Sequence, residues 1–311
     1  MNEQDLEAWC SLWRAPRVGV KTFYQLVALF GSPQAFFHAS QKELRGKMPN
    51  VASEKYQTWQ QAKGSGAQDI AWLNEGERRA IITLDDVRYP PLLKMISDPP
   101  PLLFACGEMD LLQQEQLAVV GSRNATRPAL QTTTDFVQAL CAQGWTITSG
   151  LALGVDAAAH QAALDCKGRT IAVVATGLDR VYPAKNRALA HAIARDGLII
   201  SEFPIGTGVR SGHFPRRNRL ISGMSQGVLV SEASLKSGSL ITARMAMEQG
   251  REVFAIPGSI HNPMARGCHY LIKQGTKLVE TAQDIIEELQ YTSSLARKST
   301  KQTPAKSNAT N

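Results

Sequence analysis

The stretch Leu117-Ala118-Val119-Val120-Gly121-Ser122-Arg123-Asn124-Ala125-Thr126 decides the fold. Four apolar residues in a row run into a glycine and then into turn and capping residues. A short run with no polar alternation reads as a strand buried on both faces. Six more runs of this kind follow, at 145–148, 170–175, 198–201, 227–230, 252–256 and 277–279. The first six of the series each lead into a glycine-containing loop, and a helical pattern separates successive runs. Alternating β and α units of this kind imply an α/β fold, a mostly parallel sheet with helices on both faces. Ligands on such sheets bind beyond the carboxyl ends of the strands, so the loops after the strands are where function is sought.

Outward from this core the composition changes. Residues 1–75 are rich in Gln, Lys and Trp, with Phe23, Leu26, Val27 and Phe30 at helical spacing, and they read as a small all-α domain. Residues 76–116 read as a connector with one short strand at 80–84 and a proline cluster, Pro99-Pro100-Pro101, that excludes helix. Residues 117–290 carry the α/β pattern, and 291–311 form a Ser/Thr/Lys-rich tail with too little apolar surface to fold.

The chain has 311 residues, enough for about two domains, and 43% of them are hydrophobic. Lys and Arg total 34 against 27 acids, a net charge of +7. Four of those positive charges lie in the tail, on Arg297, Lys298, Lys301 and Lys306, so any nucleic-acid footprint on the body is a local patch. Five scattered cysteines without a CxxC pair exclude a disulfide framework and give no zinc-site spacing. The acidic start does not resemble a signal peptide, and no apolar run approaches the roughly 20 residues of a membrane span. A cytoplasmic protein with no metal and no cofactor is expected.

The loop after the first strand is not GxGxxG and no acid ends the second strand, which argues against NAD, and the absence of GxxxxGK[ST] removes the P-loop NTPases. Gly121, Ser122 and Arg123 still offer free N–H groups, a hydroxyl and a guanidinium fork to an anion; a tight turn with a solvated arginine is the plainer alternative. In the second loop, Gly150 and Gly154 let backbone approach a ligand. Asp156 and His160, at i and i+4, fit either an acid–base pair or a helix cap with a locking histidine, and the cap is favoured. Lys185 and Asn186 could meet phosphate, whereas Tyr182-Pro183 and Phe203-Pro204 fit turn geometry. Ser237, Gly238 and Ser239 make either an anion nest at a helix start or a simple N-cap.

The most basic stretch of the body is Phe214-Pro215-Arg216-Arg217-Asn218-Arg219, with Arg210 just ahead and no acid between. Pro215 suits the first turn of a helix, whose dipole also favours anions. Arg216 and Arg219 share one face and Arg217 another. An aromatic followed by arginines suits single-stranded nucleic acid, which needs a stacking surface and charge neutralisation. A buried Phe214 beside a solvated arginine cluster is the alternative.

Taken together, VVGSRNAT (119–126), SGLALGVDAAAH (149–160), VYPAKN (181–186), SEFP (201–204), FPRRNRLISGMS (214–225), SEASLKSGSLITARMAMEQGREVFAIPGS (231–259) and LIKQG (271–275) resemble the DprA/Smf family of DNA-processing proteins. The resemblance covers about residues 80–290. It implies an extended Rossmann-like domain that binds single-stranded DNA, forms a homodimer and loads the RecA recombinase during natural transformation, without enzymatic turnover. Carried across by motif, it implies that Gly121, Ser122 and Arg123 line a phosphate pocket, that Phe214 meets a base, and that Arg217, Asn218 and Arg219 belong to a basic wall. Three departures stand out. Ser211 occupies a position that is basic in the family, with Arg210 or His213 as substitutes. Pro128-Ala129 replaces a common Tyr-Gly. A polar tail stands where many members continue into a winged helix. Val18-Gly19-Val20 falls where the family's helix-hairpin-helix or sterile-alpha-motif-like domain makes its turn, and no DNA contact is assigned to it.

A competing expectation is a Rossmann-like enzyme similar to nucleotide phosphoribohydrolases, which carry PGGxGTxxE on one helix start. Here the corresponding stretch is Lys236-Ser237-Gly238-Ser239-Leu240-Ile241-Thr242, and the nearest downstream acid is Glu248. The carboxylate needed for acid–base chemistry is displaced along the helix.

Overall fold

The computed structural model describes residues 1–301, with side chains described through Tyr291. Nine strands form one sheet: β1 (Arg79–Thr83), β2 (Leu102–Gly107), β3 (Gln116–Val120), β4 (Thr146–Ser149), β5 (Arg169–Val173), β6 (Leu198–Ser201), β7 (Gly227–Val230), β8 (Glu252–Ala255) and β9 (Lys277–Leu278). The order across the sheet is β1-β2-β6-β5-β4-β3-β7-β8-β9. β2 runs against both its neighbours, and the other pairings are parallel.

All seven strands expected after residue 116 are therefore present. The 76–116 segment is more than a connector: it supplies the expected strand β1 and a second strand, β2, at the sheet's edge. The proline cluster lies just before β2, as an edge strand tolerates.

Six short helices precede the sheet: α1 (Glu3–Arg14), α2 (Val20–Phe30), α3 (Pro33–His38), α4 (Gln41–Lys47), α5 (Ser53–Gln60) and α6 (Ala67–Asn74). Then come α7 (Pro91–Lys94), α8 (Arg127–Ala142), α9 (Val155–Asp165), α10 (Arg187–Asp196), α11 (His213–Met224), α12 (Ser239–Glu248), α13 (Arg266–Lys273) and α14 (Ala282–Lys301). The stretch from residue 291, expected to have too little apolar surface to fold, is helical as α14 continues to Lys301; residues 302–311 lie outside the described residues.

Strand residues alternate between the two faces. Ala118, Val120, Ile171, Val173, Val228 and Val230 pack toward the side of α7, α11, α12 and α13. Leu117, Val119, Ile147, Leu229 and Phe254 face α8, α9 and α14. Ile81, Leu102 and Phe104 of the edge strands share a core with the six N-terminal helices. That shared core docks the helical domain on the sheet.

Polar groups fix the docking. Both Asp69 carboxylate oxygens accept from Arg14, at 2.5 and 2.6 Å, and one also accepts from the Ile205 N–H at 3.0 Å. The Trp13 indole N–H donates to the Glu202 carbonyl at 2.7 Å. On α9, the buried His160 pairs through Nδ1 with the Thr170 hydroxyl at 2.7 Å, which ties the helix to β5.

Asp69→Ala is expected to cost about 3–5 kcal/mol in chemical denaturation, because it strands a mostly buried guanidinium. A loss of about 0–1 kcal/mol, the range of an exposed ion pair, would show that the clamp does not hold the domain.

Burial, with Arg217 nearby, holds His160 down to about 3. The unfolded chain takes up this proton near pH 6.5, so unfolding is favoured as pH falls. Stability is complete above about 6.5 and declines below it, toward the folded value, by up to about 1.4 kcal/mol per pH unit. A shallower acid dependence of the denaturation midpoint is expected for His160→Gln, and parallel profiles would refute the assignment.

Candidate nucleic-acid interface

The chain order along the sheet reverses between β3 and β7, which are neighbours. A crevice opens at such a switch point, beyond the carboxyl ends of the strands. Here the cavity measures about 680 Å³ and is walled by the β3 loop, the first turns of α11 and the start of α12.

The β3 loop brings Gly121, Ser122 and Arg123. The Ser122 N–H donates to the Glu232 carbonyl at 2.7 Å, and the Ser122 carbonyl accepts from the Val155 N–H at 3.1 Å. The Glu232 carboxylate accepts from the Thr126 N–H and hydroxyl, each at 2.9 Å, and from the Asn262 amide at 3.0 Å. The loop is thus fixed from below while Arg123 stays exposed. Its guanidinium lies over the Phe214 ring, 5.3 Å from the centroid. Phe214 is half-buried, neither the enclosed core residue nor a fully solvated ring.

From α11, Phe214, Arg217, Asn218 and Ile221 line the cavity, the one-sided stripe that helical spacing requires. Arg217 is only 4% exposed. It donates from Nη1 to the Val173 carbonyl at 2.9 Å, and its Nε has no partner. Burial pulls this guanidinium down to about 10, against the opposing charge of Asp156. Asp156 accepts from the N–H groups of Gly150 at 3.1 Å and Ala152 at 3.3 Å. Desolvation pushes its carboxyl above the usual range, with Arg217 countering.

The α12 wall offers Ser237, Gly238 and Ser239 at the helix start, where Gly238 is the cap residue and the Ser237 hydroxyl accepts from the Ser239 N–H at 3.4 Å. The Ser237 and Ser239 hydroxyls lie 2.7 Å apart, and the exposed Lys236 stands beside them. Lys236 and Asn124 line the cavity although sequence reasoning did not single them out. The legible signal for Lys236 was its place one residue before the Ser-Gly-Ser turn.

Several expected site residues lie elsewhere. Arg219 and Arg216 both pair with the buried Glu202 carboxylate, at 2.5 and 3.2 Å, and Arg219 also meets Asp98. Arg216 extends over the rings of Phe203 and Trp13. Lys185 and Arg210 are exposed outside the cavity, and His213 stacks on Phe203 at 4.2 Å, which leaves Ser211 at the cavity rim.

Gly150 and Gly154 do permit close approach, but to protein. A side chain at Gly150 would collide with Arg217, and one at Gly154 (φ +76°) with the carbonyls of Ser122 and Arg123. Asp156 and His160 do not pair, because one caps the loop and the other binds Thr170.

A family model described as DNA recombination-mediator protein A matches residues 80–290, and one described as a DprA-like N-terminal HHH domain matches residues 3–39. Over 209 residues the chain is 47% identical to the DNA processing protein DprA of Bacillus subtilis (strain 168), covering 67% of this chain and 70% of that protein. It is 47% identical over 223 residues to Protein Smf of Escherichia coli (strain K12), covering 71% of this chain and 59% of that protein. The X-ray structure of DprA from Streptococcus pneumoniae superposes with a TM-score of 0.73 at 36% identity, covering 88% of this chain and 98% of that one. A DprA structure from Helicobacter pylori, described for its single-stranded DNA binding mode, gives 0.62 at 32% identity, covering 68% and 96%. A sheet with this switch point, a Gly-Ser-Arg turn on it and a family match spanning all nine strands but the first residue of β1 place the chain in the DNA recombination-mediator protein A (DprA/Smf) family.

Proposed function

We propose that this chain binds single-stranded DNA without sequence preference in the crevice between β3 and β7. In this reading it protects incoming strands and loads the RecA recombinase during natural transformation, acting as a cytoplasmic homodimer. The observation that carries the binding reading is Arg123 over the half-buried Phe214 at the mouth of a cavity whose floor holds the buried Arg217. A ring supplies a stacking surface for any base, and guanidinium forks neutralise phosphates. The similarity to the Helicobacter pylori protein described for its single-stranded DNA binding mode supports the same ligand. Among the described residues no helix is long and apolar enough to cross a membrane.

No turnover is assigned to the site. Asp156 is the acid that lines the cavity, and two loop N–H groups hold one of its carboxylate oxygens. Glu248 is exposed at the far end of α12. Incubation with nucleoside monophosphates is therefore expected to release no base. For the recombinase role, added protein is expected to speed RecA-dependent strand exchange on single-stranded substrates.

Arg123→Ala is expected to weaken oligonucleotide binding roughly ten- to a hundredfold at unchanged melting temperature. Wild-type binding by this variant would move the phosphate site elsewhere.

Phe214→Ala separates stacking from packing. A stacked ring loses about 1–3 kcal/mol of binding and little stability, whereas a core ring loses about 3–5 kcal/mol of folding. Phe214→Trp is expected to keep binding, because the half-buried site leaves room for the larger π face. A stability loss matching the binding loss would defeat the stacking assignment.

A further inference from the structure

Tyr182 has no role in the crevice as described, yet it is 44% exposed and its ring centroid lies 5.8 Å from that of Phe214, tilted by 53°. Arg123, Phe214 and Tyr182 therefore form a continuous line of π surface and cation, from the β3 loop to the segment after β5. Val181 and Ala184, on either side of the Tyr182-Pro183 pair in the chain, line a second cavity of about 500 Å³. Leu151, Val174, Leu178 and Ile199 give it an apolar lining, and Arg180, Arg187, His191 and the acid Asp179 line it as well.

The two cavities are next to each other along the chain at two places. Ala152 lines the first and Leu151 the second, while Tyr182 touches Phe214 of the first and Val181 lines the second. At both places the two linings are consecutive residues, so the cavities border one another. Asn186 holds this junction by donating its amide to the carbonyls of Leu151 at 2.9 Å and Ala152 at 3.1 Å.

We propose that Tyr182 is a second base-stacking platform and that this bordering cavity is a second nucleotide subsite for the same single strand. This rests on the reading of the first crevice as a single-strand site. The chemistry fits in three respects. An exposed ring accepts a base of any identity, an apolar lining takes a base edge without demanding hydrogen bonds, and cations at its margin meet the backbone. Lys185, exposed on the turn that follows Tyr182, and Arg187, exposed at the start of α10, supply the cations on the outer side. Lys185, which lies outside the first crevice, thereby gains a ligand-facing position. Arg180 is partly engaged by Asp179 at 2.7 Å, so Arg187 is the stronger phosphate partner.

The test is binding of the full chain to oligothymidylates of roughly 4 and roughly 12 nucleotides, the span of known single-strand site sizes. Tyr182→Ala is expected to weaken binding of the longer strand about five- to a hundredfold, and that of the shorter strand, held mainly in the first crevice, by clearly less. Tyr182→Phe restores the longer-strand affinity, and Arg187→Ala weakens it and lowers its salt dependence. Equal loss at both lengths would make Tyr182 a prop for Phe214 and overturn the subsite. Wild-type affinity of Tyr182→Ala for the longer strand would overturn it too, and if Phe214→Ala still fails to bind, the first crevice stands. Absence of binding by the unmodified chain at either length would overturn both readings.

Discussion

A guanidinium buried at the carboxyl ends of the strands governs the site. Arg217 gives one hydrogen bond to Val173, leaves Nε unpaired and takes its compensating charge from Asp156. A charge removed from water needs an opposing charge, and Asp156 at the first turn of α9 supplies one without a direct ion pair. Asp156 in turn shapes the loop at 150–152, and Gly150 must lack a side chain because Arg217 fills that space. One buried cation thus fixes a glycine, an acid and the approach of α11 to the sheet.

The same turn of α11 is held from its other side by Glu202. That buried carboxylate takes both Arg216 and Arg219, while its carbonyl takes the Trp13 indole of the helical domain. Burial pushes the Glu202 carboxyl up and the two arginines oppose it. The basic run of α11 is therefore divided. One arginine floors the crevice, and two clamp the helix and, through Trp13 and Phe203, the N-terminal domain. A run of like charges on the page becomes two different devices because a helix turns its neighbours to opposite sides.

This division marks how far the sequence could be read. The parallel strands were legible because each is an apolar run flanked by turn residues, and burial on both faces removes any other explanation. β2, at Leu102–Gly107, is as apolar as the others, but it follows the proline cluster and enters antiparallel, with no crossover helix to announce it. The face relation of Arg216, Arg217 and Arg219 followed from helical spacing. Their partners did not, because Glu202, Asp98 and Val173 reach them only through the fold. Gly150 and Gly154 were legible as close-approach positions. What approaches them is an arginine and two carbonyls of the chain itself, which local sequence does not reveal.

In the proposed reading, such a site would hold a strand while reading little of its sequence. The parts that would set geometry are rigid: the β3 loop is fixed by Glu232, and α11 is held on both sides. A preformed wall loses little ordering entropy when a ligand arrives. The parts that would meet the ligand are different in kind. Arg123 and Lys236 are exposed cations on loops, and Phe214 and Tyr182 present ring faces. Phosphate contacts position a strand without reading it, and a ring face stacks on every base. Selectivity for single strands then follows from geometry alone, because a base can lie on a tilted ring inside a crevice only after it has left a duplex stack.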